Sequence, residues 1–322
     1  MLLLGGRMMK NFFKWFSVFL LSLFSIIVSL AYYASNQIMY FKLREIEVIK
    51  RRETKGKRMD LKVLDGMPKD RVKIPSRFGY DINTTFYKPH QTDKWMIILH
   101  GVSENSLSSS KYVHMYTDMG FNSVVFDARR HGETGGEDST YGHFEKYDLE
   151  SVVNYLLTNY GKDLHFGVHG ESMGAATVLL YAGQLKSKAD FFISDASFAR
   201  FSDQISVVFN SISKAASQPV LFFTYLLLKL RSKYSIFELS PIDVVDQIEQ
   251  PILFIHTKRD KFIPYESSVN LYDKKQGPKQ AWFPERGDHV ESYNRNRKLY
   301  KQTVKEFIEH YAGWEVRSNH EQ

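Results

Sequence analysis

The chain has 322 residues, 43% of them hydrophobic and 25% charged, with 43 Lys and Arg against 36 Asp and Glu. This composition excludes a disordered chain, a collagen-like repeat and a small disulfide-stapled scaffold, and leaves room for one large α/β domain or two modest ones. With no Cys, thiolate nucleophiles, disulfides, iron–sulfur clusters and Cys-ligated zinc are excluded together, because each needs a sulfur.

The formal net charge of +7 is strongly localised. A basic tail, residues 1–14, carries Arg7, Lys10 and Lys14, and residues 15–41 carry no charged side chain. Residues 42–58 then hold eight basic side chains (Lys42, Arg44, Lys50, Arg51, Arg52, Lys55, Lys57, Arg58) against Glu45, Glu47 and Glu53. The remaining 264 residues sum to −1. A near-neutral body argues against a nucleic-acid partner, since neutralising backbone phosphates needs basic residues on the working surface.

Residues 15–34 form an apolar run of 20, long enough at about 1.5 Å per residue to cross the roughly 30 Å hydrocarbon core as one helix. Trp15, Tyr32 and Tyr33 would sit at its two interfaces. The expectation is a single-pass transmembrane anchor followed by a basic juxtamembrane linker over 35–60, its cations close to anionic headgroups. A cleavable signal peptide ending near Ser29-Leu30-Ala31 is the competing reading. The excess of Lys and Arg after the span favours a cytoplasmic body, whereas a short basic tail before a first apolar segment also begins exported signal-anchors. The reading taken is an extracytoplasmic body.

From residue 61 to 322 short apolar strands alternate with helical stretches, the pattern of a mostly parallel sheet flanked by helices. After an irregular lead-in the strands fall at 82–87, 95–100, 123–127, 164–169, 191–195, 251–256 and 280–283. Helices are expected at 111–119, 148–160, 172–185, 265–274 and 294–311. The link from Asp195 to Pro251 is far longer than a crossover needs, so a helical cap insertion is expected at about 198–240. Within it, 215–228 is uncharged and apolar on every helical face. A helix buried under its neighbours is the plain reading; a lining for an apolar substrate pocket, or a helix leaning on the membrane, is the sharper one.

Gly170-Glu171-Ser172-Met173-Gly174 matches G-x-S-x-G between an expected strand and an expected helix, the context that gives the pattern meaning. Its glycines suit a turn so tight that the Ser is strained and only small neighbours avoid a clash. A Ser hydroxyl needs a base and an orienting acid, in the chain order Ser, acid, His on loops after later strands. His289 in Gly287-Asp288-His289 and Asp260 in His256-Thr-Lys-Arg-Asp260 stand where these are needed. Asp195 and Asp288 are the rival acids. The backbone amides of Met173 and Val102, the latter in His100-Gly101-Val102, are the candidate oxyanion donors. His100 and His131 read as loop braces, and His169 and His256 as residues at strand ends. Zinc, phosphate-loop and dinucleotide signatures are absent from the sequence, so no metal or cofactor is implied.

His100-Gly101, Asp127-x-Arg-x-His-Gly132, the Gly-Glu-Ser-Met-Gly elbow, Asp260 and His289, in this order, look like the α/β-hydrolase superfamily over about residues 61–311. The elbow and the single N-terminal apolar segment resemble bacterial membrane-anchored hydrolases of its serine aminopeptidase and prolyl-oligopeptidase-like branch. The resemblance implies Ser172 as nucleophile, Asp260 as acid, His289 as base and the amides of Val102 and Met173 as oxyanion hole. Arg130 departs from it, because many relatives carry Gly there, and this puts the shape of the adjoining loop in question. A serine hydrolase that cleaves an ester or related acyl bond, of a small molecule or a lipid, through an acyl-enzyme is therefore expected; a serine peptidase or aminopeptidase of the same fold and a non-catalytic membrane-tethered binding module are the alternatives.

Overall fold

The computed structural model describes residues 2–185, 187–210, 214–232 and 234–317. Residues 1, 186, 211–213, 233 and 318–322 of the expected segments therefore lie outside the described residues. The chain divides into two compact units. One comprises Met1–Phe41 with Ile205–Ile236, and the other Lys42–Gln204 with Phe237–Gln322.

In chain order the elements are α1 (Leu2–Met39), α2 (Ile46–Lys55), α3 (Leu61–Gly66), β1 (Lys69–Pro75), β2 (Asp81–Tyr87), β3 (Lys94–Leu99), α4 (Ser106–Asp118), β4 (Asn122–Phe126), α5 (Glu145–Tyr160), β5 (His165–Glu171), α6 (Met173–Gln184) and β6 (Phe191–Asp195). They continue with α7 (Phe201–Asn210), α8 (Lys214–Ser232), three 3-10 turns, β7 (Ile252–Ile255), α9 (Glu266–Lys274), β8 (Lys279–Trp282), α10 (Ser292–Arg295) and α11 (Arg297–Ala312).

The larger unit is built on one eight-stranded sheet, ordered β1-β2-β4-β3-β5-β6-β7-β8. β1, β2 and β4 pair antiparallel, and β3 to β8 run parallel with β4 on one side. Successive side chains of a strand point to opposite faces, and the sheet sorts them into two cores. Ile97, Val124, Val168, Phe192 and Phe254 pack with Leu149 and Val152 of α5 and Val178 and Leu179 of α6. Met96, Ile98, Val125, Phe191, Ile193 and Ile255 pack with Tyr112 and Tyr116 of α4 and Tyr300, Val304 and Phe307 of α11. Because both faces are covered, the central strands read as unbroken apolar runs. β3 pairs with β4 on one side and β5 on the other, so the strand order reverses there. The carboxyl ends of β3 and β5 form the switch point at which α/β sheets hold ligands.

Three expectations for the larger unit need correction. Residues 35–60 do not form an irregular linker, since α1 runs on to Met39 and α2 lies within the larger unit with Ile49 fully buried. β1 was hidden by its composition: an edge strand of alternating charge, Lys-Asp-Arg-Val-Lys-Ile-Pro, buries only Ile74. α4 starts at Ser106 because the Asn105 side chain accepts from Leu107 N–H, and this cap supports a serine-rich first turn.

In the smaller unit α1 packs against α8. The Phe24 and Phe223 rings meet edge to face at 5.4 Å. Arg231 donates to Ser35 Oγ and Asn36 Oδ1 at 2.5 and 2.7 Å and lies over the Tyr32 ring. Ala31, Ser35 and Met39 recur every four residues on the buried face of α1, and Leu221, Thr224 and Leu228 lie on that of α8. The plain expectation for 215–228, a helix buried under its neighbours, holds on one face only: Phe222 and Leu226 on the opposite face are exposed, as is Leu230 just beyond. Over Met9–Met39, α1 is long and apolar enough to cross a membrane, a test that a signal sequence also passes.

The absence of Cys makes this packing directly testable. Phe24→Cys combined with Phe223→Cys is expected to cross-link under mild oxidation. Phe13→Cys with Phe223→Cys is expected not to, since eleven helical residues displace that position by roughly 16 Å. Mobility on non-reducing gels reads the difference.

Candidate active site

β5 ends at Glu171 and α6 starts at Met173, so Ser172 alone makes the turn, with φ 55° and ψ −115°. Such a backbone is strained for a residue with a Cβ, and the turn closes only because its flanks lack one. A Cβ on Gly170 would lie 2.3 Å from Gly174 O, and one on Gly174 would lie 2.6 Å from Leu99 O. Ser172 N–H donates to Asp195 O at 2.8 Å, tying the turn to the end of β6.

The side chain of Ser172 is brought to His289 on the loop after β8. Its hydroxyl donates to His289 Nε2 at 2.9 Å, and His289 Nδ1–H donates to Asp260 Oδ2 at 2.6 Å. Asp260 is buried on the loop after β7 and accepts three further bonds. Phe262 N–H and Ile263 N–H donate to Oδ1 at 2.8 and 2.9 Å, and His256 Nε2–H donates to Oδ2 at 3.0 Å. Burial opposes ionisation of this carboxyl, but the bonds from His256 and His289 outweigh it and hold Asp260 well below the usual carboxylate range. His256, read from sequence only as a strand-end residue, is thus a neighbour of the acid, with its Nδ1 bonded to Ser268 Oγ at 2.7 Å.

The rival acids lie elsewhere. Asp288 is exposed. Asp195 is fully buried and accepts from Ser292 Oγ at 3.1 Å and Tyr300 OH at 3.0 Å. It belongs to a polar layer that sequence reasoning did not find. Lys111 Nζ donates to Glu171 at 2.5 Å and Tyr112 OH at 3.0 Å to the same oxygen. Tyr116 OH and Tyr300 OH flank the His169 ring, each at 3.1 Å. Burial, then the adjacent charge of Glu171, pushes Asp195 up to about 7, and burial pushes His169 down to about 3. Glu171 inside the elbow, Asp195 as a rival acid and His169 at a strand end are visible in the sequence, but the tyrosines, the lysine and the serine that join them follow no motif spacing.

The loop after β3 passes beside Ser172, with Gly101 close enough that a Cβ there would sit 3.3 Å from Ser172 Cβ. His100 braces it: Nε2 accepts from Ala128 N–H at 2.9 Å while Nδ1–H donates to Gly101 O at 2.8 Å. His131 Nε2 accepts from Ser103 N–H at 3.2 Å. Among the described residues neither Val102 N–H nor Met173 N–H meets an acceptor. Arg130 occupies the left-handed region, φ 68°. The loop therefore keeps a conformation that glycine adopts without strain, which answers the question its side chain raised. Among the described residues no group of three or more His, Asp or Glu is arranged to hold a metal ion.

Comparison with known proteins bears on the family and the fold. The serine aminopeptidase (S33) family matches residues 90–234. The uncharacterized protein YqkD of Bacillus subtilis (strain 168) is 41% identical over 89% of this chain and 95% of its own. The chain belongs to the α/β-hydrolase superfamily. Within it, the fold is shared with the Pyrococcus furiosus esterase Pf2001, at TM-score 0.64 and 21% identity, over 79% of this chain and 96% of that one. It is also shared with the acylaminoacyl peptidase of Pyrococcus horikoshii, at TM-score 0.57 and 14% identity, over 81% of this chain and 44% of that one.

Two outcomes follow from the geometry. Gly174→Ala forces Cβ against two backbone oxygens, those of Leu99 and His100, and is expected to cost about 1–3 kcal/mol in urea unfolding. For Asp260, a carboxyl depressed by folding contributes stability that is present above its unfolded value, about 4, and is lost as pH falls through its folded value. The stability deficit of Asp260→Asn relative to wild type is therefore expected to be largest at neutral pH and to shrink below about pH 4.

Proposed function

We propose that this α/β hydrolase is a serine esterase that works through Ser172, His289 and Asp260. The observation that carries the reading is the continuous chain of bonds from Ser172 Oγ through the His289 ring to Asp260, at 2.9 and 2.6 Å. His289 Nε2 takes the Ser172 proton as Oγ attacks the acyl carbon, and Asp260 holds the ring in the tautomer that leaves Nε2 free to accept. The developing oxyanion lies between the amides of Val102 and Met173. His289 then gives its proton to the leaving alcohol, and a water activated by the same ring releases the acid from the acyl-enzyme.

An ester or lipid substrate is favoured over a peptide by two features. The apolar face Phe222, Leu226 and Leu230 lies in the same unit as the candidate span, and esterases occur among the structural neighbours. The family description, serine aminopeptidase, favours a peptide substrate as the second reading. We place α1 as a single-pass anchor with the hydrolase unit on the extracytoplasmic face; the uncharged stretch between the basic tail and residue 42 supports the anchor.

The full chain in detergent is expected to react with a fluorophosphonate and to hydrolyse nitrophenyl esters between acetyl and palmitoyl, with a preferred chain length. Ser172→Ala is expected to abolish labelling and lower kcat by about 10⁴-fold or more. Hydrolysis of aminoacyl nitroanilides in place of all esters would select the peptidase. Absence of labelling in folded wild type would leave a binding module.

A further inference from the structure

The segment between α1 and α3 makes a set of contacts that the hydrolase reading does not use. Arg44 N–H donates to Ser103 O at 3.0 Å, and the Arg44 side chain pairs with Glu104. From α2, Arg52 closes a two-pronged bond on the same carboxylate, Nη1 to Oε1 at 2.7 Å and Nη2 to Oε2 at 2.8 Å. Glu104 stands two residues after Val102, and its side chain is only 11% exposed. Burial resists its ionisation, yet the Arg52 bonds hold its carboxyl below the usual range.

The same segment also meets the stretch that follows His289. Arg58, just past α2, pairs with Glu291 at 3.6 Å and with the buried Glu53 at 3.7 Å. Glu291 accepts from Asp288 N–H at 3.3 Å, beside His289. One short segment, residues 44–58 around α2, thus contacts both the loop that carries Val102 and the loop that carries His289. A planar guanidinium fixes a carboxylate in direction as well as in distance, which is what a donor aimed at a developing charge requires.

We propose that Arg44 and α2 form a strap that sets the position of the oxyanion loop, with Arg44, Arg52 and Glu104 acting as positioning residues for acyl transfer. The proposal rests on the reading of Val102 as an oxyanion donor. Losing one such donor outright costs about 10²–10³-fold, so a loop loosened but still present is expected to cost about tenfold.

The test uses the full chain in detergent, with rates expressed per site titrated by fluorophosphonate, so that misfolded protein does not count. Glu104→Gln and the pair Arg44→Ala with Arg52→Ala are expected to lower kcat for nitrophenyl acetate about tenfold with KM nearly unchanged. Affinity for a trifluoromethyl ketone, whose adduct carries an oxyanion, is expected to fall in parallel. The swap Arg52→Glu with Glu104→Arg is expected to recover part of both, while Lys301→Ala, at a surface pair with Asp118, leaves both unchanged. Per-site rates equal to wild type in Glu104→Gln and the double variant overturn the strap and leave the hydrolase reading intact. A wild type that neither labels nor turns over overturns both.

Discussion

The site depends on one backbone torsion. Ser172 is held at positive φ between β5 and α6, and each neighbouring feature makes that turn affordable or useful. Gly170 and Gly174 remove the atoms that would collide. Asp195 O accepts the Ser172 amide, and the sheet places the turn at the reversal of strand order, where the β3 loop comes alongside. Strain of this kind persists only where the surroundings over-determine it. Here packed cores on both faces of the sheet, rather than local propensity, supply that constraint.

The central architecture was legible because it is written in hydrophobic pattern. β3 to β7 are short runs buried on both faces, and the helices between them carry enough apolar residues to be placed to within a few positions. Ser172, Asp260 and His289 were legible because order along the chain and position after a strand are sequence properties. What escaped notice acts through charge. α2 is so polar that its place within the hydrolase unit rests on Ile49 and on the Arg52–Glu104 ion pair, and no periodicity announces that. β1 escaped for a related reason, since an edge strand that alternates charged residues with half-buried ones looks like a surface loop. Arg130 shows the converse: a residue that departs from a sequence pattern while its own backbone takes the left-handed region that glycine adopts without strain.

The N-terminal region changes meaning once its contacts are known. Read as sequence, 42–58 is a cluster of cations available to headgroups. In the structure Arg44, Arg52 and Arg58 are committed to Glu104, Glu53 and Glu291, so less of that charge faces outward than a count suggests. A fragment cut at residue 59 would shed all three arginines together with the apolar helix. Deleting the apolar helix and deleting the contacts to the loop after β3 are therefore separable only if the cut falls before residue 42.

The polar layer behind Ser172 raises a question of charge that register answers. β5 and β6 pair so that Glu171 stands directly beside Asp195, placing two carboxyls together in the interior with Lys111 as the cation bonded to Glu171. Two buried anions against one cation would leave an uncompensated charge, which costs several kcal/mol. The rise of Asp195 to about 7 is the response, driven first by burial and next by Glu171. Its oxygens are nonetheless occupied by Ser292 and Tyr300, so the group is fixed in place whether or not it carries a proton. The backbone carbonyl of that same residue receives the Ser172 amide. A carboxyl clamped from several sides thus immobilises the strand end on which the turn is hung, and the layer contributes to the site through rigidity without touching the reacting atoms.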